Sequence, residues 1–216
     1  LLGVRSGVIA LTKADLADDA RRRAVEAEIA ATVAGTALSD AHIIPVSVVS
    51  GEGVDDLREE LFALTGQIAE RKRSGRFRLA VDRSFVLQVA GTVVTGTVLS
   101  GSVSVGDRVT VSPSGLSARV RSIHAQNTPR EQAAAGERCA LNLTGDGISK
   151  EAIHRGDVVL DPPLHAPTDR VDCSLRILPS ETRPVAQWTP VHLHHAASDI
   201  GARIVLFGDD PVPCAA

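Results

Sequence analysis

The sequence is poor in aromatic residues and contains neither methionine nor tyrosine. Only 2% of its 216 residues are aromatic, whereas 44% are hydrophobic. Any core must therefore be built mainly from valine, leucine, isoleucine and alanine. The length predicts two or three compact units that bury a sizeable core. Because methionine is absent even at the first position, we expect an internal segment of a longer protein.

Cysteine and net charge are also scarce. The three cysteines, Cys139, Cys173 and Cys214, are far apart and form no Cys-x-x-Cys pair. They predict neither a disulfide framework nor a zinc site, and they fit a reducing cytoplasm. The net charge of -3 excludes a uniformly basic nucleic-acid binder but allows a local basic patch. No run approaches the roughly 20 apolar residues that span a bilayer, so we expect no membrane contact.

An apolar stretch that ends in a polar turn stands near the start of the chain. Residues 8–11 are continuously aliphatic, which predicts a strand covered on both faces, and Thr12-Lys13-Ala14-Asp15 follows it. Ligands of open α/β sheets lie beyond the carboxyl ends of such strands. A polar turn between a strand and a helix is also ordinary, and the tetrapeptide alone does not separate the two interpretations.

The tetrapeptide resembles the Asn/Thr-Lys-x-Asp motif of guanine-nucleotide-binding proteins. The resemblance implies that the Asp15 carboxylate accepts hydrogen bonds from the N1–H and the 2-amino group of guanine, which adenine cannot supply. It also implies that Lys13 lays its aliphatic stem along the base and braces the phosphate loop. Thr12 would tie the turn to its neighbours.

A second predicted strand, residues 43–47, ends in a similar way. Ser47-Val48-Val49 resembles a further motif of the same proteins, Ser-Ala-x, in which a backbone N–H meets the guanine O6. Val48 replaces the usual alanine. This substitution has little consequence if the backbone makes the contact and the side chain points away.

Two helices are predicted beside these strands. Val25, Ile29 and Val33 recur four apart between charged residues, which indicates an amphipathic helix over residues 18–33. A second helix, from Val54, is expected to bury a stripe made of Leu57, Leu61, Leu64 and Ile68. Two strand–helix units in succession predict the end of a doubly wound α/β sheet.

The sequence pattern changes after a charged link at residues 70–76. Helical spacing gives way to alternation, so we place a domain boundary near Gly75. Short segments separated by glycine-containing turns indicate a small β-barrel. The predicted strands cover residues 77–81, 85–89, 92–99, 108–111, 118–124, 139–143 and 157–160. Further strands are predicted at 171–177, 191–194 and 202–207.

The barrel segment resembles the second domain of translational GTPases. Gly91–Gly101, Val105–Asp107 and the turn within Ala152–Val159 carry this resemblance. Within that family, Arg119–Asn127 and Leu193–Ala197 resemble the selenocysteine-specific elongation factors more closely than elongation factor Tu. The threonine variant of the guanine motif fits the same group.

This resemblance implies both a domain division and a function. Residues 1–75 would be the C-terminal part of a GTPase domain, 76–166 β-barrel domain II, and 167–216 the truncated start of β-barrel domain III. The implied function is GTP-dependent delivery of selenocysteinyl-tRNA to the ribosome. The implied cofactor is GTP, with Mg²⁺ in the complete protein. A messenger-RNA hairpin would be bound by a region outside this chain.

Two phosphate-binding patterns do not occur in the sequence. There is no Gly-x-x-x-x-Gly-Lys-Ser/Thr loop, which cradles phosphates, and no Asp-x-x-Gly, which senses a γ-phosphate. We therefore expect this chain by itself to bind GTP weakly and not to hydrolyse it.

The resemblance also assigns an aminoacyl pocket in the barrel. Asp82, Arg83 and Arg138 stand at positions where the family holds an acidic residue and two arginines. A selenol is ionised at neutral pH, and fixed guanidinium charges would favour the selenolate. Asp82 would contact the α-amino group or orient the arginines. A surface salt bridge of small energetic consequence is the alternative.

Several other residues attract notice. His192, His194 and His195 could bind a metal, but packing or tRNA contact is favoured because no nearby cysteine or carboxylate completes a set of three or four ligands. Cys139 is expected to be a buried filler rather than a nucleophile. Trp188 is expected in a core rather than as a base-stacking platform.

Polar residues of the barrel and the link leave two interpretations open. Arg119 and Arg121 alternate on one strand face and could meet tRNA phosphates or simply face solvent. For the basic residues of the link, a solvated interdomain segment is favoured over a contact with a phosphate backbone. These residues are Arg71-Lys72-Arg73, Arg76 and Arg78. His124, Gln126 and Asn127 are either polar loop structure or tRNA-facing.

Two further functions compete with selenocysteinyl-tRNA delivery. One is a non-hydrolysing tRNA-binding module. The other is a translational GTPase of the elongation or initiation type that carries a standard aminoacyl-tRNA. The presence or absence of a phosphate loop upstream would distinguish a GTPase from the non-hydrolysing module. The set Asp82, Arg83 and Arg138 would distinguish a factor for selenocysteinyl-tRNA from one for standard aminoacyl-tRNAs.

Overall fold

The computed structural model of the protein describes residues 4, 6–67, 74–88, 91–178 and 181–208. The chain forms two compact units, Leu1–Ala69 and Glu70–Ala216. The basic run Arg71-Lys72-Arg73 lies outside the described residues. No helix among the described ranges is long and apolar enough to cross a membrane.

The first unit is a small α/β arrangement. Strand β1 (Ile9–Thr12) pairs in parallel with β2 (Ile43–Val46), and the helices are α1 (Asp19–Val33) and α2 (Val54–Gln67). Asp18 caps the N-terminus of α1, where its side chain accepts a hydrogen bond from the N–H of Arg21 at 2.8 Å. Because the strands are parallel, the loops after β1 and β2 leave the same edge of the sheet.

Burial in this unit is lower than the sequence predicts. Strand β1 alternates between half-buried and exposed residues, so the prediction that it is covered on both faces was wrong. The physical reason is that only two strands pair here among the described residues. In α2, Leu57 and Leu64 are half-buried but Leu61 is 48% exposed, so the expected stripe is incomplete. Ile68 lies outside the described residues.

The second unit contains a closed six-stranded barrel. Its strands are β3 (Arg78–Leu87), β4 (Gly91–Ser100), β6 (Arg108–Ser112), β7 (Leu116–Ala125), β10 (Arg138–Thr144) and β11 (Val158–Leu160). They pair in the order β10–β4–β3–β11–β6–β7, and β7 pairs back to β10. Closure leaves no unpaired edge in this ring. Short strands β5 (Ser102–Ser104), β8 (Thr128–Arg130) and β9 (Gln132–Ala134) flank the barrel.

The barrel core follows the predicted alternation and composition. On β7, Ala118, Val120 and Ile123 are buried, while Arg119 and Arg121 are exposed. Valine, leucine and isoleucine dominate the core, and Phe77 is its largest fully buried side chain. The core is thus made of the aliphatic residues that the composition requires.

Several strand predictions need correction. Residues 77–81 and 85–89 were predicted as two strands, but β3 is continuous, with a register shift between Val81 and Arg83. Three short strands, β5, β8 and β9, were not predicted. Residues 171–177 form no strand, and the strand expected at 202–207 is β13 (Ser198–Arg203). Strand β12 (Pro190–His195) matches its prediction and pairs with β13.

Gly96 lets two barrel strands approach closely. A β-carbon at this position on β4 would lie 2.0 Å from the carbonyl oxygen of Ala80 on β3. That oxygen is backbone and cannot move without distorting the strand pair. We expect Gly96→Ala to lower the free energy of unfolding by about 1–3 kcal/mol, as overpacking typically does.

Urea denaturation followed by far-UV circular dichroism measures this change. Gly201→Ala on β13 is the matched control, because no atom lies within 4 Å of a β-carbon there. Equal stability of the two variants would contradict the close approach of β3 and β4.

Candidate functional sites

The loop after β1 exposes a carboxylate at the edge of the sheet. Lys13 adopts a left-handed backbone conformation, with φ 57° and ψ 38°, and a single 3₁₀ turn follows at Ala14–Leu16. Ala14 is buried, at 1% exposure, and anchors the turn. The exposed Asp15 side chain has no hydrogen bond or ion pair within the described part of the chain. It is therefore free to accept hydrogen bonds from a ligand.

The loop after β2 is closed by its own hydrogen bonds. Ser47 is buried, and its Oγ accepts hydrogen bonds from the N–H groups of Val49 and Ser50, both at 3.2 Å. The Ser47 N–H donates to the Glu52 carbonyl oxygen at 2.9 Å. No described atom accepts from the Val48 N–H, and the Val48 side chain is 90% exposed. The Val48 N–H is therefore free to donate a hydrogen bond to a ligand.

Arg22 and Glu52, which the sequence analysis did not single out, lie between these two loops. Arg22 Nη1 is 2.7 Å from Glu52 Oε1, and Nη2 is 3.2 Å from Oε2. Arg22 Nη2 also donates to the Ala14 carbonyl oxygen at 2.7 Å. The hydrogen bond that Arg22 donates to the Glu52 carboxylate raises the pKa of Arg22, so the guanidinium stays charged.

The second candidate site is built on the irregular part of β3. Asp82 is the residue skipped where the pairing of β3 with β4 shifts, since Val81 lies opposite Gly96 and Arg83 lies opposite Thr95. The bulge brings the Asp82 carboxylate to Thr95 on β4 and Arg138 on β10. Arg138 Nε is 2.9 Å from Asp82 Oδ2, and Nη2 is 3.0 Å from Oδ1. Thr95 Oγ1 donates to Asp82 Oδ1 at 2.5 Å.

The two arginines of this site differ in their bonding. Arg138 is held by a two-point contact with Asp82, while its Nη1 makes no hydrogen bond to any described residue. Arg83 is exposed and has no hydrogen bond or ion pair within the described ranges. The three side chains together carry two positive charges and one negative charge. The site is therefore a net cation in which one guanidinium is oriented and the other is open.

The ionisation of this cluster is secure at neutral pH. Partial burial alone would raise the pKa of Asp82, but hydrogen bonds from Arg138 and Thr95 outweigh it and lower that pKa. The Asp82 contact in turn raises the pKa of Arg138. Because the pKa of Asp82 is depressed in the folded state, the ion pair persists at pH values below the ordinary pKa of a carboxyl group and is lost only in stronger acid. An exposed salt bridge alone would show similar contacts.

The histidine cluster contains a carboxylate that the sequence analysis missed. His192 and His194 stack with ring centroids 6.2 Å apart, and His192 Nδ1 lies 2.8 Å from Asp199 Oδ1 on the paired strand. This hydrogen bond lowers the pKa of Asp199. Strand pairing brings Asp199 across to these histidines, a contact that the spacing in the sequence does not show. Still, no group of three metal-ligating side chains suited to a metal occurs among the described residues.

The remaining candidates divide into those confirmed and those corrected. Cys139 is 3% exposed, which confirms the prediction of a buried side chain, and burial raises the pKa of its thiol to about 12. Trp188 is 61% exposed, so the expectation of a core residue was wrong. No described residue covers its hairpin enough to bury the indole. Gln126 and Asn127, at φ 51° and 61°, form the tight turn between β7 and β8.

Comparison with known proteins gives both a domain match and relatives. Residues 91–160 match the family model of elongation factor Tu domain 2. The chain is 42% identical over 94% of its length to the selenocysteine-specific elongation factor of Escherichia coli (strain K12). It is 37% identical over 97% of its length to that of Desulfomicrobium baculatum. It spans 32% and 33% of the length of these two relatives.

The solved structures that resemble this chain include proteins of the same family as these relatives. The apo form of translation elongation factor SelB from Methanococcus maripaludis superposes with a TM-score of 0.83 at 25% identity, covering 96% of this chain and 47% of that one. Its complex with the GTP analogue GPPNHP gives 0.76 at 26% identity, covering 94% and 46%.

These matches identify first the type of the barrel domain and then the family of the chain. The barrel is of the elongation factor Tu domain 2 type. The chain as a whole is a homologue of the selenocysteine-specific elongation factors, which confirms the resemblance that its motifs carry.

Proposed function

We propose that this chain is part of a GTP-dependent elongation factor that delivers selenocysteinyl-tRNA to the ribosome. The observation that carries the proposal is the net positive cluster of Asp82, Arg83 and Arg138 in a barrel homologous to that of selenocysteine-specific factors. A selenolate is an anion at neutral pH, whereas the serine hydroxyl is neutral. A cationic pocket therefore distinguishes the two side chains by charge.

In this proposal the three side chains have separate tasks. Asp82 orients the Arg138 fork through its two-point contact, which leaves Nη1 to donate to the ligand. Arg83 supplies the uncompensated charge. A guanidinium carries a permanent positive charge in proteins, so the pocket would attract the selenolate without requiring a proton transfer.

The first unit is proposed as the C-terminal part of a GTPase domain with a doubly wound sheet. Asp15 would accept from the guanine base, Lys13 would lie along it, and Thr12 would support the loop. The Val48 N–H, in the loop of Ser47 and Val49, would donate to the guanine O6. Mg²⁺ would be held with the phosphates by residues outside this chain, so we expect the chain alone to bind GTP weakly.

The domain division and partners follow from the same proposal. Residues 1–75, 76–166 and 167–216 would correspond to the end of the GTPase domain, domain II and the start of domain III. The ribosome and selenocysteinyl-tRNA would be partners, while a messenger-RNA hairpin would bind a region beyond these residues. A cytoplasmic location would follow from translation.

The decisive experiment measures which aminoacyl-tRNA the complete protein prefers. Equilibrium binding is measured with GTP present, using selenocysteinyl-, seryl- and cysteinyl-tRNA. We expect tightest binding of the selenocysteinyl form. The match to elongation factor Tu domain 2 favours a second candidate, a factor for standard aminoacyl-tRNAs. Equal binding of the three tRNAs would support that candidate instead.

A further inference from the structure

Arg22 makes several hydrogen bonds from the first turns of α1. Its Nε donates to the carbonyl oxygens of Ala14 at 3.1 Å and Ala17 at 3.2 Å, in addition to the Nη2 contact with Ala14. The other side of the guanidinium meets the Glu52 carboxylate through Nη1 and Nη2. One planar group therefore reaches two backbone carbonyls and one carboxylate.

The partners of Arg22 belong to the two loops that end β1 and β2. Ala14 stands between Lys13 and Asp15, and Glu52 closes the turn that begins at Ser47. Strands β1 and β2 are only four residues each and pair no further than Thr12 and Val46. Beyond that pair, within the described residues, the Arg22–Glu52 contact is the one hydrogen-bonded link between residues 14–22 and 48–53.

We propose that Arg22 is a positioning residue that fixes the distance between the Asp15 carboxylate and the Val48 N–H, and thereby the selectivity of the site for guanine. The inference rests on the proposed nucleotide site. These two groups would contact neighbouring atoms of guanine, Asp15 the N1–H and the 2-amino group and the Val48 N–H the O6, so both contacts form only when the loops hold one spacing. A rigid link between the loops supplies that spacing before the base arrives.

The chemistry of the link requires arginine. Its contacts use Nε, Nη1 and Nη2 in one plane, and a lysine ammonium would act as a single point without that fork. The Arg22 side chain is 22% exposed and that of Glu52 is 41% exposed. By contrast, the pair Arg58–Asp55 on α2, at the same 2.7 Å, is 63% and 84% exposed. The Arg58–Asp55 pair lies within one helix and does not connect the two loops, so Arg58 provides a matched control.

The test uses the complete protein and compares GTP with ITP. The base of ITP lacks the 2-amino group from which Asp15 would accept a hydrogen bond. The readout is the ratio of the two affinities, with thermal unfolding measured in parallel. We expect Arg22→Ala to reduce the GTP/ITP ratio by about fivefold or more, and Arg22→Lys to restore little of it. Glu52→Gln, which keeps the side-chain shape, should reduce the ratio less, and Arg58→Ala should leave it unchanged.

The double variant Arg22→Ala with Asp15→Asn shows whether Arg22 acts through Asp15. If it does, Arg22→Ala should lower the ratio no further once Asp15 is replaced. A fall in stability or in both affinities with an unchanged ratio would overturn the proposal, since it would reveal a purely structural role. Absence of guanine preference in the unaltered protein would instead overturn the proposed nucleotide site and this inference with it.

Discussion

Asp15→Asn in the complete protein is expected to shift nucleotide preference from GTP to XTP. The Asp15 carboxylate would accept from both the N1–H and the 2-amino group of guanine. Asparagine offers one acceptor and one donor, so its amide faces the guanine 2-amino group with a second donor. Xanthine carries a 2-oxo group there and accepts from the amide. Hydrogen bonds to charged groups contribute about 1.5–3 kcal/mol, so GTP affinity should fall by roughly 100-fold or more.

Equilibrium binding of GTP, XTP and ATP to both proteins measures this shift. Asp19→Asn is the control, because Asp19 is an exposed acid in the first turn of α1 and is not part of the loop that follows β1. It removes the same charge from the same region without touching the base. Retained GTP preference in Asp15→Asn would mean that the loop is an ordinary turn.

The second large effect concerns the arginines of the barrel. Arg83→Ala should weaken binding of selenocysteinyl-tRNA by about tenfold or more, because a charge-assisted hydrogen bond of roughly 1.5–3 kcal/mol is lost. Arg138→Ala should weaken it further. Removing Arg138 takes away a cation and also leaves the Asp82 carboxylate unpaired beside an anionic ligand. Binding of seryl-tRNA should change little in either variant.

Two further variants show whether charge or tRNA contact is responsible. Arg138→Lys should rescue only in part, since a point charge cannot replace the two-point contact with Asp82. Arg121→Ala, on the exposed face of β7, is the control for phosphate contacts. Loss of such a contact would weaken the binding of both tRNAs alike. Equal losses for both tRNAs in Arg83→Ala would favour a factor for standard aminoacyl-tRNAs.

The barrel could be predicted from alternation, but its most important irregularity could not. Asp82-Arg83-Ser84 is a polar cluster between two apolar runs, so it predicts a turn. In the structure the pairing with β4 absorbs it as a bulge at Asp82. The composition of a strand does not reveal which residue its partner skips. The meeting of Asp82, Thr95 and Arg138 likewise depends on β4 lying between β3 and β10.

Other differences also arise from partners that a local pattern does not contain. Residues 171–177 alternate as a strand does, yet no described segment pairs with them. Arg22 lies in a run of three arginines that is typical of a solvated helix face. Its role appears only when the length of its side chain and the position of Glu52 are known together.

The exposure of Trp188 determines what fluorescence can report about this protein. It is the single tryptophan and tyrosine is absent, so intrinsic emission comes almost wholly from one indole. Trp188 is 61% exposed beside a hairpin, and its backbone N–H donates a hydrogen bond to the Ile204 carbonyl oxygen at 2.8 Å. Emission should already be red-shifted in the native state and should track the hairpin alone. A melting curve recorded this way would be silent about the barrel.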